Sequence, residues 1–381
     1  MSSRMYLRSA CFLLLLLAAP SLVALDIVPA PPQIAARSHL LMDVHSGRIL
    51  AEHQADQRVE PASLTKLMTA YAVFQELKSG GMKLEDEVRV SKKAWRMKGS
   101  LMFIEVGTTV SVKDLLMGMI VQSGNDASVA LAEHTAGSED AFAALMNQHA
   151  ERLEMHDSHF VNSTGWPDKK HHTTARDLSK LTRALIAEFP DYYPWYSVKE
   201  YTYNNIRQSN RNRLLWLDDR VDGVKTGHTE SAGYCLITSA KKNDMRLLSV
   251  VIGTKSEDGR IKASRALLNY GFRFFETHRL YEAGQSLTQM RIWKGEREQL
   301  DLGLAQPLYV TVQRGQRDKI NAQMRVNATI MAPAFKGQNY GNVEVSVSDE
   351  MLNTRPLVAL QDVPEGSIWR RLVDTVLLWF E

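Results

Sequence analysis

The sequence predicts an α/β domain built on one antiparallel sheet flanked by helices, then a small all-β domain, then a terminal amphipathic helix. Three observations carry that prediction. Within residues 25–277, β-patterned runs lie near both ends and helical periods lie between them, the arrangement expected when early and late strands meet in one sheet. Residues 278–363 hold short alternating runs spaced by Gly, Pro, Asn and Asp, the texture of a small all-β unit. Residues 364–381 return to a helical period with apolar side chains on one broad arc.

The elements follow in chain order. Residues 1–24, "MSSRMYLRSACFLLLLLAAPSLVA", join a basic start at Arg4 and Arg8 to an apolar run from Cys11 to Ala19. That run is too short to cross a bilayer and suits a signal peptide cleaved after Ala24, so the chain is expected to be exported. Cys11 precedes the apolar run, which argues against a lipoprotein site and leaves Cys235 as the one thiol of the mature chain. An exported protein with one cysteine has no internal disulfide, and Cys235 reads as a small buried hydrophobe on a strand. The net charge is +3, of which Arg4 and Arg8 contribute two, leaving +1. A near-neutral body gives no footing for nucleic acid.

A proline-rich lead-in over 25–37 precedes "SHLLMDVHSGRILAEHQ", two alternating runs joined at His45-Ser46-Gly47 that predict a hairpin. "EPASLTKLMTAYAVF" predicts a buried helix running from Ser63 to about Ser79, and the helical pattern resumes between residues 112 and 190. From Gly223, "DGVKTGHT", "GYCLITSAKK" and "MRLLSVVIGT" predict strands, and "RIKASRALLNYGFRFFETH" restores the helical period. The β-rich segment contains no cluster of His, Cys or carboxylates at catalytic spacing and is expected to be a structural or docking module. In the tail, Trp369, Leu372, Val376 and Phe380 share an apolar arc opposite Arg370, Arg371 and Asp374. It is too short and too charged to span a membrane, and it suits a helix lying on a membrane surface.

Three short motifs carry the chemistry. Ser63 and Lys66 at i and i+3 place a hydroxyl and an amine on one helix face, with Cβ atoms about 5–6 Å apart. "QSGNDAS" holds Ser123, Gly124 and Asn125 between two helical runs, and "DGVKTGHTESAGY" holds Lys225, Thr226 and Gly227 on a predicted strand. Each alone reads as easily as a cap, a helix junction or an ordinary strand. In the order Ser-x-x-Lys, Ser-x-Asn, Lys-Thr-Gly they form a specific set. A serine needs a base, and no histidine is evidently placed to act as one. Lys66 can act if burial or a second ammonium, for which Lys225 is the candidate, keeps it neutral.

With these motifs on the page, the chain resembles the low-molecular-mass penicillin-binding proteins, the serine D-alanyl-D-alanine carboxypeptidases of the penicillin-binding protein 5/6 type. "ASLTKLMTAY", "QSGNDASVALAEHTAGSEDAF", "VDGVKTGHTESAGY", "GFRFFET" and "RPLVALQDVPEG" carry the likeness, and it covers nearly the whole chain. The resemblance implies a catalytic domain of the β-lactamase/transpeptidase-like fold. It also implies no cofactor or metal, peptidoglycan stem peptides ending in D-Ala-D-Ala as substrate, acylation by β-lactam antibiotics, and a place at the periplasmic face of the inner membrane. Ser63 would attack the penultimate D-alanine carbonyl with Lys66 as base, and Ser123 would relay the proton to the leaving amine. Asn125 would bond the substrate backbone or orient Lys66. Lys225 and Thr226 would bind the terminal carboxylate, with Arg260 nearby, and Gly227 would let the substrate approach the strand. The amides of Ser63 and His228 would hold the oxyanion. A D,D-endopeptidase acting on cross-links shares every motif. A β-lactamase is disfavoured because no glutamate motif lies between Asn125 and Lys225. A non-catalytic envelope-binding protein is disfavoured because Ser63, Lys66, Ser123, Asn125 and Lys225 are all intact. His171 and His172 sit in a loop without further ligands at metal spacing.

Overall fold

The computed structural model describes residues 28–326, 329–348 and 350–380. The expected signal peptide, residues 1–24, lies outside them. The first strands are β1 (Ser38–Asp43) and β2 (Ile49–His53), the hairpin expected around Ser46. Helices α1 (Lys66–Ser79), α2 (Val112–Val121), α3 (Asn125–Ala136), α4 (Glu139–Arg152) and α5 (Ala175–Glu188) follow. Then come β3 (Val221–Thr229), β4 (Gly233–Lys242), β5 (Met245–Thr254) and α6 (Glu257–Phe274). The sheet is five-stranded in the order β2-β1-β5-β4-β3, and each neighbouring pair is antiparallel. Late strand β5 therefore pairs with the first strand, and β3, which carries Lys225 to Gly227, is the edge.

Both faces of this sheet are covered, so its central strands read as near-continuous apolar runs. On β1, Leu40 and Met42 join the main core shared with α1, α2 and α3. Leu41 faces α6 instead: a Cβ on Gly271 would lie 2.5 Å from Leu247 and 3.1 Å from Leu41, so glycine lets the helix settle onto the strands. Helix α1 is buried on every side from Lys66 to Phe74. A helix in that position is a fixed axle for whatever its first turn presents.

The second unit begins earlier than the sequence suggests. The helical period was expected to run through "FFETH", with the boundary at residues 277 and 278. Instead α6 stops at Phe274, and the backbone turns extended at Phe275. Strand β6 (Phe275–Tyr281) then starts at once and pairs with β9 (Leu308–Gln313). Phe275 fits either period, and tertiary pairing decides. The sequence reading also passes over β7 (Ser286–Trp293) and β8 (Gln299–Gly303). With β10 (Ile320–Val326), β11 (Ile330–Met331), β12 (Asn339–Val347) and β13 (Glu350–Ala359), they form a six-stranded sheet in the order β10-β12-β13-β8-β7-β11. Its own core gathers Leu300, Leu302, Val343, Val345 and Leu357.

A buried polar seam joins the two cores. Asp43, at the end of β1, accepts from Ser46 N at 2.8 Å, Ser46 Oγ at 2.9 Å and Thr277 Oγ1 at 2.8 Å. Thr311 on β9 completes it, 2.9 Å from Thr277 Oγ1 and 2.6 Å from Ser46 Oγ.

Helix α7 (Ile368–Leu377) ends the described chain. It docks by its polar face: Asp374 is buried and accepts from the Lys294 amide at 2.6 Å. Trp369 is 80% exposed and Phe380 84% exposed, and Leu372, Val373 and Val376 also face outward. Among the described residues no helix is long and apolar enough to cross a membrane.

Candidate active site

The three motifs converge where the edge strand β3 passes the start of α1. The single helix expected from Ser63 is divided: Ala62–Thr65 form a 3-10 turn, and α1 begins at Lys66. Ala62 has φ +47°, which a continuous α-helix cannot accommodate. The tighter turn leaves Ser63 Oγ 3.1 Å from Lys66 Nζ. Ser123 bridges α2 and α3 with φ +68°, and Asn125 opens α3.

Lys66 is 2% exposed, and its surroundings define its proton. Nζ donates to Asn125 Oδ1 at 2.7 Å and to the Thr164 carbonyl at 2.7 Å. The Asn125 amide can be oriented from its bonds, because Nδ2 donates to the Lys98 carbonyl at 2.6 Å. The oxygen must then face Lys66. Both partners accept only. A neutral amine spends its two hydrogens on them, and its lone pair is left toward Ser63. Burial is the main cause that brings the Lys66 pKa down to about 7; the Asp126 carboxylate opposes this and the Arg211 guanidinium adds to it. Arg211 is a neighbouring cation that the sequence reading did not name, and the expected repulsion between Lys66 and Lys225 acts on Lys225.

Lys225 is equally buried and donates to Ser123 Oγ at 2.8 Å and to the Thr226 carbonyl at 3.0 Å. Burial, then the charges of Lys66, Arg211 and Arg260, hold its pKa well below the ordinary lysine range. Gly227 has a further use beside the one expected. A Cβ there would lie 3.2 Å from Leu64 Cγ and from the Pro61 carbonyl, so glycine lets β3 close on the nucleophile's own turn.

Two cavities meet at Ser63. One, of about 230 Å³, is lined by Ser123, Arg211, Thr226, His228 and Arg260 among others. Two guanidiniums and a threonine hydroxyl suit a carboxylate there, with Glu257 in the same lining balancing part of the charge from 3.5 Å off Arg260. Lys225 is buried beside it, with its amine donating to Ser123. Arg260 donates to the Gly227 carbonyl at 3.3 Å and lies over the Tyr234 ring, on which His228 also stacks at 4.1 Å. The other cavity, of about 640 Å³, passes Asn125, Gly99, Thr164 and Trp166.

Sequence reasoning missed three contributors. Arg211 sits in "NRN", which carries no motif, between Asn210 and Asn212, both buried in the fold. Asp126 adjoins the Ser-Gly-Asn motif and is buried; it accepts from the amides of Met102 at 3.0 Å, Phe103 at 2.9 Å, Ile104 at 3.3 Å and Ala127 at 2.9 Å, and so fixes the cleft wall. The Thr164 carbonyl is backbone, which no side-chain pattern reports. His171 is a buttress: it receives the Val161 amide at Nδ1 at 3.2 Å, and Nε2 lies 2.9 Å from Thr65 Oγ1. Burial lowers its pKa to about 4, so it stays neutral. Cys235 is buried, and burial pushes its thiol up to about 11, which suits packing and not nucleophilic attack.

Two family models match the chain: D-alanyl-D-alanine carboxypeptidase over residues 26–256, and the C-terminal domain of penicillin-binding protein 5 over residues 275–365. The D-alanyl-D-alanine carboxypeptidase DacA of Escherichia coli (strain K12) is 41% identical over 361 residues, 93% of this chain and 90% of that one. The crystal structure of penicillin binding protein 5 from Haemophilus influenzae superposes with a TM-score of 0.82 at 39% identity, covering 88% of this chain and 100% of that one. Penicillin-binding protein D2 from Listeria monocytogenes, in its ampicillin-bound form, matches with a TM-score of 0.59 at 29% identity, covering 64% of this chain and 100% of that one.

Proposed function

Because the chain belongs to the D-alanyl-D-alanine carboxypeptidase family, we propose that it removes the terminal D-alanine from peptidoglycan stem peptides with Ser63 as nucleophile and Lys66 as general base. The neutral Lys66 amine takes the Ser63 proton as Oγ attacks the penultimate D-alanine carbonyl. The amides of Ser63 and His228 receive the oxyanion. Collapse breaks the carbon–nitrogen bond, and Ser123, backed by Lys225, passes a proton to the departing D-alanine amine. Arg211, Arg260 and Thr226 hold its carboxylate. Water then hydrolyses the acyl-Ser63 ester and restores the hydroxyl. β-Lactams enter by the same attack. The observation that carries this reading is the buried Lys66 amine 3.1 Å from Ser63 Oγ, whose neutral form, favoured by burial, gives its two hydrogens to Asn125 Oδ1 and the Thr164 carbonyl and turns its lone pair to Ser63.

Intact-mass spectrometry after incubation with benzylpenicillin tests it. The wild type is expected to gain one penicilloyl group that persists for minutes, and Ser63→Ala none. An adduct on Ser63→Ala would remove Ser63 from the role, and immediate turnover of the wild-type adduct would favour a lactamase.

A second reading concerns location. An exported chain held on the periplasmic face of the inner membrane through α7 is supported by the outward aromatic residues and by the polar face that docks through Asp374. The signal-less protein is expected to sediment with phospholipid vesicles, and a chain ending at Val363 to stay in the supernatant with unchanged acylation. Equal partition of both would remove the helix from that role.

A further inference from the structure

Apolar side chains beside α7 face outward as well. The edge strand β11 pairs in parallel with β7, with Ile330 opposite Ile292 and Met331 opposite Trp293. Residues opposite each other in such a pair share one face of the sheet, and successive residues alternate between faces. Ile292 and Ile330 both lie in the core of the β-rich unit, so Trp293 and Met331 point the other way. That other face is the one that carries α7: the Arg291 guanidinium lies 3.6 Å over the Trp293 ring and 3.6 Å from the Asp374 carboxylate. Met331 stands on this face at the sheet edge and is exposed.

Four residues on, Phe335 is 61% exposed, and a short turn fixes it there. The Gln338 amide donates to the Phe335 carbonyl at 2.9 Å, and Gln338 Oε1 accepts from Phe335 N at 3.1 Å. Asp362 Oδ1 accepts from Lys336 N at 2.7 Å. Gly337, with φ +85°, supplies the left-handed residue that the turn requires. The turn is tied to the start of α7, because Ala334 pairs with Val363 and Ser367 caps the helix four residues later. Lys336, in the turn, is exposed and has no ion-pair partner among the described residues.

We propose that Met331, Phe335 and Lys336 form a second membrane contact, entering the surface of an anionic phospholipid bilayer together with the apolar stripe of α7. The contact rests on the reading of α7 as a membrane-surface helix. Three points favour a bilayer over a protein partner. The patch borders the helix whose Ile368 and Trp369 already face outward. It offers two apolar side chains, far less than a stable protein interface needs. It joins them to a lysine, the composition of an interfacial anchor. The contact adds what the helix alone lacks. A helix lying in the interface is free to roll about its axis, and a second point off that axis sets how the β-rich unit stands on the membrane.

The test uses the signal-less chain and vesicles of phosphatidylethanolamine and phosphatidylglycerol. Met331→Ser/Phe335→Ser changes only exposed side chains, so benzylpenicillin acylation should stay at the wild-type rate. Its vesicle partition is expected to fall about fivefold, since binding scales with the apolar area inserted. Lys336→Gln should weaken binding about two- to fivefold at low salt and have little effect at high salt. A nitrobenzoxadiazole label on Phe335→Cys should brighten and shift to the blue on vesicles; Cys235 is buried and leaves the label to that site. The same label on Asn321→Cys, on the opposite edge strand β10, should keep its aqueous spectrum. Undiminished partition of the double variant, or an aqueous spectrum at position 335 while the chain is vesicle-bound, would overturn the second contact. A dimer in lipid-free buffer that the double variant dissolves would also overturn it, because the patch would then face a second copy. Failure of the wild type to bind vesicles would overturn the α7 reading, and the contact with it.

Discussion

At Lys66 two effects compete. Burial favours the neutral amine, and the buried Asp126 carboxylate favours the ammonium; burial wins and the pKa falls to about 7. The sign for catalysis follows directly. Below pH 7 the base is protonated, so acylation by benzylpenicillin should drop about tenfold per pH unit, and above pH 7 it should level off. Stopped-flow acylation across pH 5–9 checks this, and a flat profile would take the proton-accepting role from Lys66. Asp126→Asn removes the opposing charge, so the acid limb should move to lower pH as the overall rate falls with the loosened wall at Met102 to Ile104. A limb that stays in place would mean that Asp126 acts only through the wall. Ser63, Lys66, Ser123 and Asn125 were legible because they sit in short motifs with fixed spacing. Arg211 and the Thr164 carbonyl were not, because each reaches the site through a loop whose path is decided by distant packing.

The elements around Ser63 are held by close backbone approaches as well as by side-chain bonds. The loop carrying Thr164 is the tightest case. Asn162 Oδ1 accepts from the amides of Thr164 at 3.2 Å, Gly165 at 2.8 Å and Trp166 at 3.1 Å, and a Cβ on Gly165 would lie 1.8 Å from the Ala62 carbonyl. Gly165 also has φ +83°. Gly165→Ala should therefore cost about 2–4 kcal/mol of stability, from positive-φ strain and overpacking together. Acylation should slow at least tenfold in the fraction that folds, since the Thr164 carbonyl must move off Lys66. Thermal unfolding paired with acylation kinetics checks both halves, and unchanged acylation would show that Lys66 does not need that acceptor. Most strands and helices were readable from periodicity. The 3-10 turn at Ser63 and the stop of α6 at Phe274 were not, because both are imposed by what packs against them.

Across the whole molecule the two cores are joined by the seam at Asp43. Thr277→Val should leave that carboxylate short of a donor in a buried setting, at a cost of about 1–3 kcal/mol. Denaturant unfolding should show the loss while benzylpenicillin acylation stays at the wild-type rate; an unchanged midpoint would mean that the seam adds nothing to the junction. The division into an α/β unit and a β-rich unit was legible from composition and pattern. Its location was not, since Phe275 to Thr277 satisfy a helical stripe as well as a strand and only the pairing with β9 separates the two. Helix α7 carries a different kind of consequence. It spends its polar face on its own domain, with Asp374 against the Lys294 amide, and turns its tryptophans outward. Handled in plain buffer, such a surface is a colloidal liability: two copies that meet can cover each other's stripe without any change of fold. Purification yield, shelf life and crystallisability should therefore follow detergent and protein concentration through the last eighteen or so residues, while the hydrolase ahead of them stays indifferent to both.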